Sequence, residues 1–327
     1  PDAISVTVND QGNNGQGTAL QDSGTIVVNV TAVNDAPVLT LPGEQTVDED
    51  TPLSVPAITV TDIDADNDPL KVTLGAAQGT LTLSDTTNLA FAVGSGNGDA
   101  TMTFTGTATD INNALATLTY QGTLNYNGPD AISVTVNDQG NNGQGTALQD
   151  SGTIVVNVTA VNDAPVLTLP GEQTVAEDTP LSVPAITVTD IDADNDPLEV
   201  TLGAAQGTLT LSDTTNLAFA VGSGNGDATM TFTGTAADIN NALATLTYQG
   251  TLNYNGPDAI SVTVNDQGNN GQGTALQDSG TIAVNVTAVN DAPVLTLPGE
   301  QTVDEDTPLS VPAITVTDID ADNDPLK

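Results

Sequence analysis

Four aspartates, Asp62, Asp64, Asp66 and Asp68, stand within seven residues of the stretch TDIDADNDPL, and no Lys or Arg precedes Lys71. Carboxylates this close repel and raise one another's pKa, so the stretch needs either full hydration or a cation. The alternate spacing of Asp62, Asp64 and Asp66 offers oxygens from one side of an extended turn. That suits a hard ion taking roughly six to eight oxygen ligands, calcium ahead of magnesium. An EF-hand loop begins alike, but Asn67 occupies its glycine position and Thr73 its bidentate glutamate position, which rules that loop out. Asp68, beside Pro69, reads as a turn residue.

The stretch recurs at 189–198 and 317–326, and the whole chain repeats with it at a period of 128 residues. Residues 1–128 and 129–256 differ only at Asp48/Ala176, Lys71/Glu199 and Thr109/Ala237. Residues 129–199 and 257–327 differ only at Val155/Ala283, Ala176/Asp304 and Glu199/Lys327. A period of this length is a domain with its own core, not a solenoid unit. The sequence VNDAP reads as a short stiff linker. A cut after Asp35 predicts complete domains at 36–163 and 164–291. It leaves 1–35 as the C-terminal part of one repeat and 292–327 as the N-terminal part of another. A chain that opens at Pro1 inside a repeat reads as a piece of a longer protein.

Composition narrows the chemistry. Against 42 Asp and Glu the chain has two basic residues, for a net charge of −40. Nucleic acid and anionic membrane surfaces, which need a basic patch, are therefore excluded as partners. There is no Cys and no His, so neither disulfides nor thiolate or imidazole metal sites can form, and oxygen ligands remain. No apolar run is long enough to span a membrane, and no export leader is visible. With no His, no Cys and no serine in a nucleophile elbow, the chain does not read as an enzyme. Near-identity of the copies also favours a task that depends on repeat number over one that needs a unique catalytic site.

The elements that must position the aspartates are strands. AISVTVND (3–10), GTIVVNVTAV (24–33), LSVPAITVTD (53–62), KVTL (71–74), GTLTLS (79–84) and TMTFTGTA (101–108) mostly alternate apolar residues with Thr, Ser or Asn. Gly, Asn, Asp and Pro clusters separate them, the pattern of an all-β sandwich. Aromatic residues make up 2% of the chain, so the core must come mainly from Val, Ile, Leu and Ala. One stretch, TDINNALATLTY (109–120), has helical spacing at Ile111, Ala114 and Leu115, and predicts a short helix in each domain with Asp110 as its N-cap. The Gly-rich loops NNGQG and GSGNGD read as turns, with Asp99 only a spare ligand candidate.

Three more acidic motifs share the period: VNDQG (Asp10, Asp138, Asp266), VNDAP (Asn34 and Asp35, Asn162 and Asp163, Asn290 and Asp291) and the Glu of EDTP (Glu49, Glu177, Glu305). Together with TDIDAD and NYNGPD, these motifs make the whole chain resemble the bacterial cadherin-like tandem repeats of giant RTX-type surface adhesins. The resemblance implies tandem Greek-key, cadherin- or Ig-like sandwiches, with calcium bound at each junction between repeats. By its pattern the junction at 34–37 uses Asn34, Asp35, Asp62, Asp64, Asp66 and Asp138. The junction at 162–165 uses Glu49, Asp130, Asn162, Asp163, Asp190, Asp192, Asp194 and Asp266. The next copies of these positions are Glu177, Asp258, Asn290, Asp291, Glu305, Asp318, Asp320 and Asp322. The linker lacks the leading Asp and second Asn of animal cadherins, with Val33 and Ala36 in their places.

What the resemblance implies in function is a calcium-rigidified extender of a secreted bacterial adhesin, at the cell surface, holding distal binding modules away from the cell. The partners expected are calcium and neighbouring repeats. The alternative is homophilic or lateral self-association, with the repeats meeting other copies of the chain.

Overall fold

A computed structural model of the chain describes residues 1–321; Asp322, an expected ligand, lies outside the described residues, as does Lys327. The chain divides into two units, Pro1–Ala160 and Val161–Lys327. The first opens with an antiparallel hairpin of β1 (Asp2–Asn9) and β2 (Gln21–Val28), exposed along its whole length. A sandwich follows, built from β3 (Val38–Thr40), β4 (Gln45–Asp48), β5 (Leu53–Ser54), β6 (Thr59–Thr61), β7 (Leu70–Ala76), β8 (Gly79–Leu83), β9 (Ala90–Val93), β10 (Thr101–Gly106), the helix α1 (Ala108–Leu115), β11 (Leu118–Gly122), β12 (Gly128–Asn137) and β13 (Gln149–Thr159).

One sheet has six strands in the order β4-β13-β12-β7-β10-β9, another has three in the order β5-β11-β8, and β3 pairs with β6. Every pairing in the sandwich is antiparallel except that of β4 with β13, which is parallel. Period-2 alternation sends Val72, Leu74, Met102, Phe104, Val134, Val136, Ile154 and Val156 inward from the larger sheet, to meet Leu81, Leu83, Leu118 and Tyr120 from the smaller one. The mostly β sandwich with one short helix is the architecture the sequence predicts. The core is aliphatic apart from a few rings, such as Phe91 and Phe104, whose centroids lie 5.4 Å apart.

Two local expectations are corrected. The run LSVPAITVTD is not one strand: β5 ends at Ser54 and β6 starts at Thr59. Pro56 lacks the N–H a ladder needs, and the chain changes sheets there. The N-cap of α1 is Thr107, whose hydroxyl accepts from the Asp110 N–H at 3.2 Å and donates to the Asp110 carboxylate at 2.7 Å. Asp110 is the acidic residue of the first turn, reciprocating the cap.

The second unit repeats this sandwich 128 residues on, with its helix α2 at Ala236–Leu243. A short extra strand, Asn225–Asp227, joins its smaller sheet. The unit ends in an antiparallel pair, Val294–Thr296 with Thr315–Thr317.

Candidate metal centre

At the head of the first sandwich the linker folds back onto its own domain. The Asn34 N–H donates to the Gln144 carbonyl at 3.2 Å, and the Gln144 N–H to the Ala32 carbonyl at 3.0 Å. This approach requires glycine at 143: its φ is +150°, and a Cβ there would lie 2.5 Å from the Asn34 nitrogen. So docked, Asn34 is 6% exposed, and its Nδ2 donates to Asp138 Oδ2 at 2.7 Å and to the Thr146 carbonyl at 3.2 Å. Asp138, 1% exposed, takes the Gly140 and Leu148 N–H groups on its other oxygen, each at 2.8 Å.

The aspartate loop meets the linker one residue on, at Asp35. Asp62 Oδ1 accepts from the Asp64 and Ala65 N–H groups at 3.2 and 3.1 Å, and Asp64 Oδ2 accepts from the Asp35 N–H at 2.9 Å. Each contact uses one oxygen and leaves the other. Asn34 Oδ1, Asp62 Oδ2 and Asp64 Oδ1 are buried with no hydrogen-bond partner. Orphaned acceptors of this kind are rare in folded proteins, and an ion is one of the few things that satisfies them. Burial pushes the Asp62 carboxyl above its ordinary range, with Asp64 beside it adding to the effect. Asp64 is held below that range, first by the Asp35 N–H and then by Asp62.

The second sandwich carries the same arrangement. Asn162 Nδ2 donates to Asp266 Oδ2 at 2.7 Å, the Asp163 N–H donates to Asp192, and Asp190 Oδ1 takes the Asp192 and Ala193 N–H groups. Asn162 Oδ1 and Asp190 Oδ2 are again buried without partners. The Asp190 carboxyl is raised by burial first, then by Asp192 and Asp266.

At the far pole of the second sandwich the next linker comes in. Glu177, 3% exposed, accepts from the Val289 N–H at 2.6 Å and from Asn255 Nδ2 at 3.4 Å. The Asp291 N–H donates to Asp320, while Asp291 Oδ2 is buried and unpartnered. The Asp291 carboxyl is raised by burial, then by Asp320, Asp178, Glu177 and Asp318. A cavity beside it is lined by Asn253, Asp291, Ala292, Val294, Thr317, Asp318 and Ile319, and a second by Asn255, Asn290 and Asp320 among others. Thus Glu177, Asn290, Asp291, Asp318 and Asp320 gather at one junction. Among the described residues, no set of three or more Asp or Glu carboxylates stands close enough to hold a metal by itself.

Not every expected ligand joins these groups. Asp130 accepts from the Ala77, Gln78 and Ala131 N–H groups and from the Tyr120 hydroxyl at 2.9 Å, which uses both of its oxygens inside its own sandwich. Asp258 does the same with Gln206, Ala259 and Tyr248. Both carboxylates are thus engaged inside their own sandwiches, and the buried tyrosines lose acidity in return, with burial the first cause. Asp66 and Asp194 sit exposed in left-handed turns at φ 49° and 46°. Glu49 is 3% exposed, and its N–H donates to the Thr159 carbonyl. Glu305 is exposed. Sequence reasoning passed over Asp178, which takes the Asn253 N–H at 2.9 Å, although the ED pair is intact in every copy and was the signal available.

Comparison with known proteins follows from this geometry. No curated protein matches the chain. Among solved structures the chain is similar to protocadherin gamma B2 extracellular cadherin domains 1–5, at 17% identity and TM-score 0.38, over 97% of this chain and 52% of that one. It thus spans about half the length of that chain. Mouse cadherin-23 EC22–24 is similar at 18% identity and TM-score 0.32, over 88% of this chain and 74% of that one. Human mucin-like protocadherin EC1–2 is similar at 17% and 0.32, over 77% and 99%. Among the described residues no helix is long and apolar enough to cross a membrane. The model for the bacterial Ig domain matches at residues 34–117 and again at 162–251, together more than half of the chain, each match opening on the asparagine that docks at the head of a sandwich. The chain belongs to the bacterial Ig domain family.

Proposed function

We propose that these repeats are a calcium-stiffened extender of a secreted bacterial adhesin, which holds distal binding modules away from the cell. The observation that carries this reading is the set of buried, unpartnered oxygens that recurs at each linker, Asn34 Oδ1 with Asp62 and Asp64, Asn162 Oδ1 with Asp190, and Asp291. These sites lie in a chain whose only basic residues are Lys71 and Lys327. An oxygen-only donor set with carboxylates and an amide carbonyl fits calcium better than zinc or copper.

At the first linker Asn34, Asp35, Asp62, Asp64 and Asp138 would hold the ion, with Asn162, Asp163, Asp190, Asp192 and Asp266 at the second. At the third, Glu177, Asp178, Asn290, Asp291, Asp318 and Asp320 would do so, and Glu49 is the counterpart of Glu177 one repeat earlier. Because three carboxylates do not converge unaided, amide and backbone oxygens would complete the shell. The bound ion supplies positive charge that offsets the repulsion, and this chain's residues do the rest. The Asn34 amide fixes Asp138, the Asp35 N–H orients Asp64, and both contacts hold the linker to the sandwich that follows it. Two like charges about 4 Å apart interact by roughly 4 kcal/mol at an effective dielectric near 20, comparable with a domain's whole stability of about 5–15 kcal/mol. Binding would therefore supply folding energy as well as stiffness.

Small-angle scattering of the chain in calcium and in chelator, with melting temperature measured alongside, tests the reading. Calcium is expected to lengthen the maximum dimension and raise the melting point. If both are indifferent to chelation, the extender mechanism is wrong. The alternative, lateral self-association, predicts a mass that grows with protein concentration in calcium.

A further inference from the structure

The two complete sandwiches are nearly the same sequence, yet they differ at the one place where the first strand of the sandwich's large sheet meets the last. Strand β4 runs parallel to β13 in the register Gln45↔Val156, Thr46↔Asn157, Val47↔Val158, Asp48↔Thr159. The chain enters the domain through the docked linker and β3, which pairs with β6, and leaves it after β13, so tension reaches β4 once those entry contacts part. Tension between the two ends therefore draws these parallel neighbours in opposite directions, and the ladder between them is loaded in shear, all bonds together.

In the first sandwich this seam is bridged by a side chain at its exit end. The Thr159 hydroxyl donates to Asp48 Oδ1 at 2.5 Å and also lies 3.3 Å from the Val47 carbonyl. In the second sandwich Ala176 stands opposite Thr287, and the hydroxyl retains only the Val175 carbonyl, at 3.3 Å. Of the other three differences between residues 36–163 and 164–291, two lie off this seam and the third falls on its β13 strand, one residue before the paired stretch. Lys71/Glu199 is on β7 and its counterpart, Thr109/Ala237 is on the helix, and Val155/Ala283 is paired with Ala131 or Ala259.

We infer that the β4–β13 seam is the force-bearing latch of each sandwich and that Asp48 grades it, so that under tension the domain carrying Ala176 yields before its neighbour. A chain built this way extends in steps under load, the weaker copy first, and spares the stronger. The inference needs no bound ion and stands whether or not calcium stiffens the linkers.

The test is single-molecule stretching of the whole chain at constant force, in calcium and in chelator. Forced rupture follows the unfolding rate, and one solvent-exposed hydrogen bond broken at the barrier is worth about a three- to tenfold change in it. Two sandwich ruptures with lifetimes differing by about that factor are expected. Ala176→Asp should lengthen the shorter lifetime to match the longer, Asp48→Ala should shorten the longer, and Glu199→Lys should move neither. Ruptures of equal lifetime, or lifetimes unmoved by both variants, overturn the proposal. Because the chain has no cysteine, handles can be moved to Thr73→Cys and Gln121→Cys, which leaves the seam out of the direct line of load. There Asp48→Ala should have little effect. An equal effect in that direction would mean that Asp48 adds stability alone and no latch exists. A difference that persists in chelator while the scattering result is indifferent to calcium separates this proposal from the extender reading.

Discussion

Asp62, Asp190 and Asp291 share one electrostatic fate: each is raised above the ordinary carboxylate value of 3.8, with burial the first cause. A group whose folded pKa is raised binds its proton more tightly when folded, so its contribution is present at low pH and is lost as pH rises through the folded value. Asp10, Asp85, Asp99 and Asp110 are lowered by hydrogen bonds and act oppositely, losing their contribution only as pH falls below 3.8. In chelator the melting temperature should therefore rise as pH is brought down from 7 toward the ordinary carboxylate range, then fall below it. In calcium the first limb should flatten or reverse, because protons and the ion compete for the same oxygens; a rise of equal size in both media would refute this account. The paired change Asp190→Ala with Asp192→Ala removes two of these oxygen donors. It should lower calcium stoichiometry by the content of one linker in equilibrium dialysis and leave the sandwich folded by circular dichroism. At this scale the sequence was readable where spacing carried the information, as in Asp62 and Asp64. It was opaque where a partner outside the local motif decides, since nothing near Asp130 announces that Tyr120, Ala77 and Gln78 will hydrogen-bond to it.

The elements show a similar division. Alternation located β7, β8, β10 and β12 because their inward faces have to be apolar, while the break at Pro56 and the cap at Thr107 depend on backbone hydrogen bonding that hydrophobic pattern does not record. A pairing that pattern cannot reveal ties α1 to the sheet layer: Asn112 accepts from the Val60 N–H at 2.8 Å and donates to the Val60 carbonyl at 2.9 Å. Val60 is fully buried, so its main chain has no water to turn to. Asn112→Ala should cost about 2–4 kcal/mol in chemical denaturation by stranding both groups, whereas Thr107→Ala should cost about 1 kcal/mol. A loss at Asn112 no greater than that at Thr107 would mean that β6 finds other partners.

For the whole molecule, the period of 128 residues made tandem organisation readable at once, and what it left open was where one domain hands over to the next. Reading the proline linker as a spacer puts the cut after Asp35. The docking of Ala32 and Asn34 on Gln144, and of Asn34 on Asp138, ties the four residues before that cut to the sandwich that follows. A fragment of residues 36–163 begins without the donor that satisfies Asp138, and leaving that buried oxygen alone costs about 1–3 kcal/mol. A fragment of 32–160 should accordingly melt several degrees higher than 36–163 in differential scanning calorimetry, in chelator as well as in calcium; equal melting points would show that the linker is a passive tether. The glycine at 143 that admits Asn34 thus acts as a genetic splice rule. Modules shuffled between chains of this kind would travel intact only when the crossover falls upstream of VND, and a crossover one motif later would separate each lock from its key.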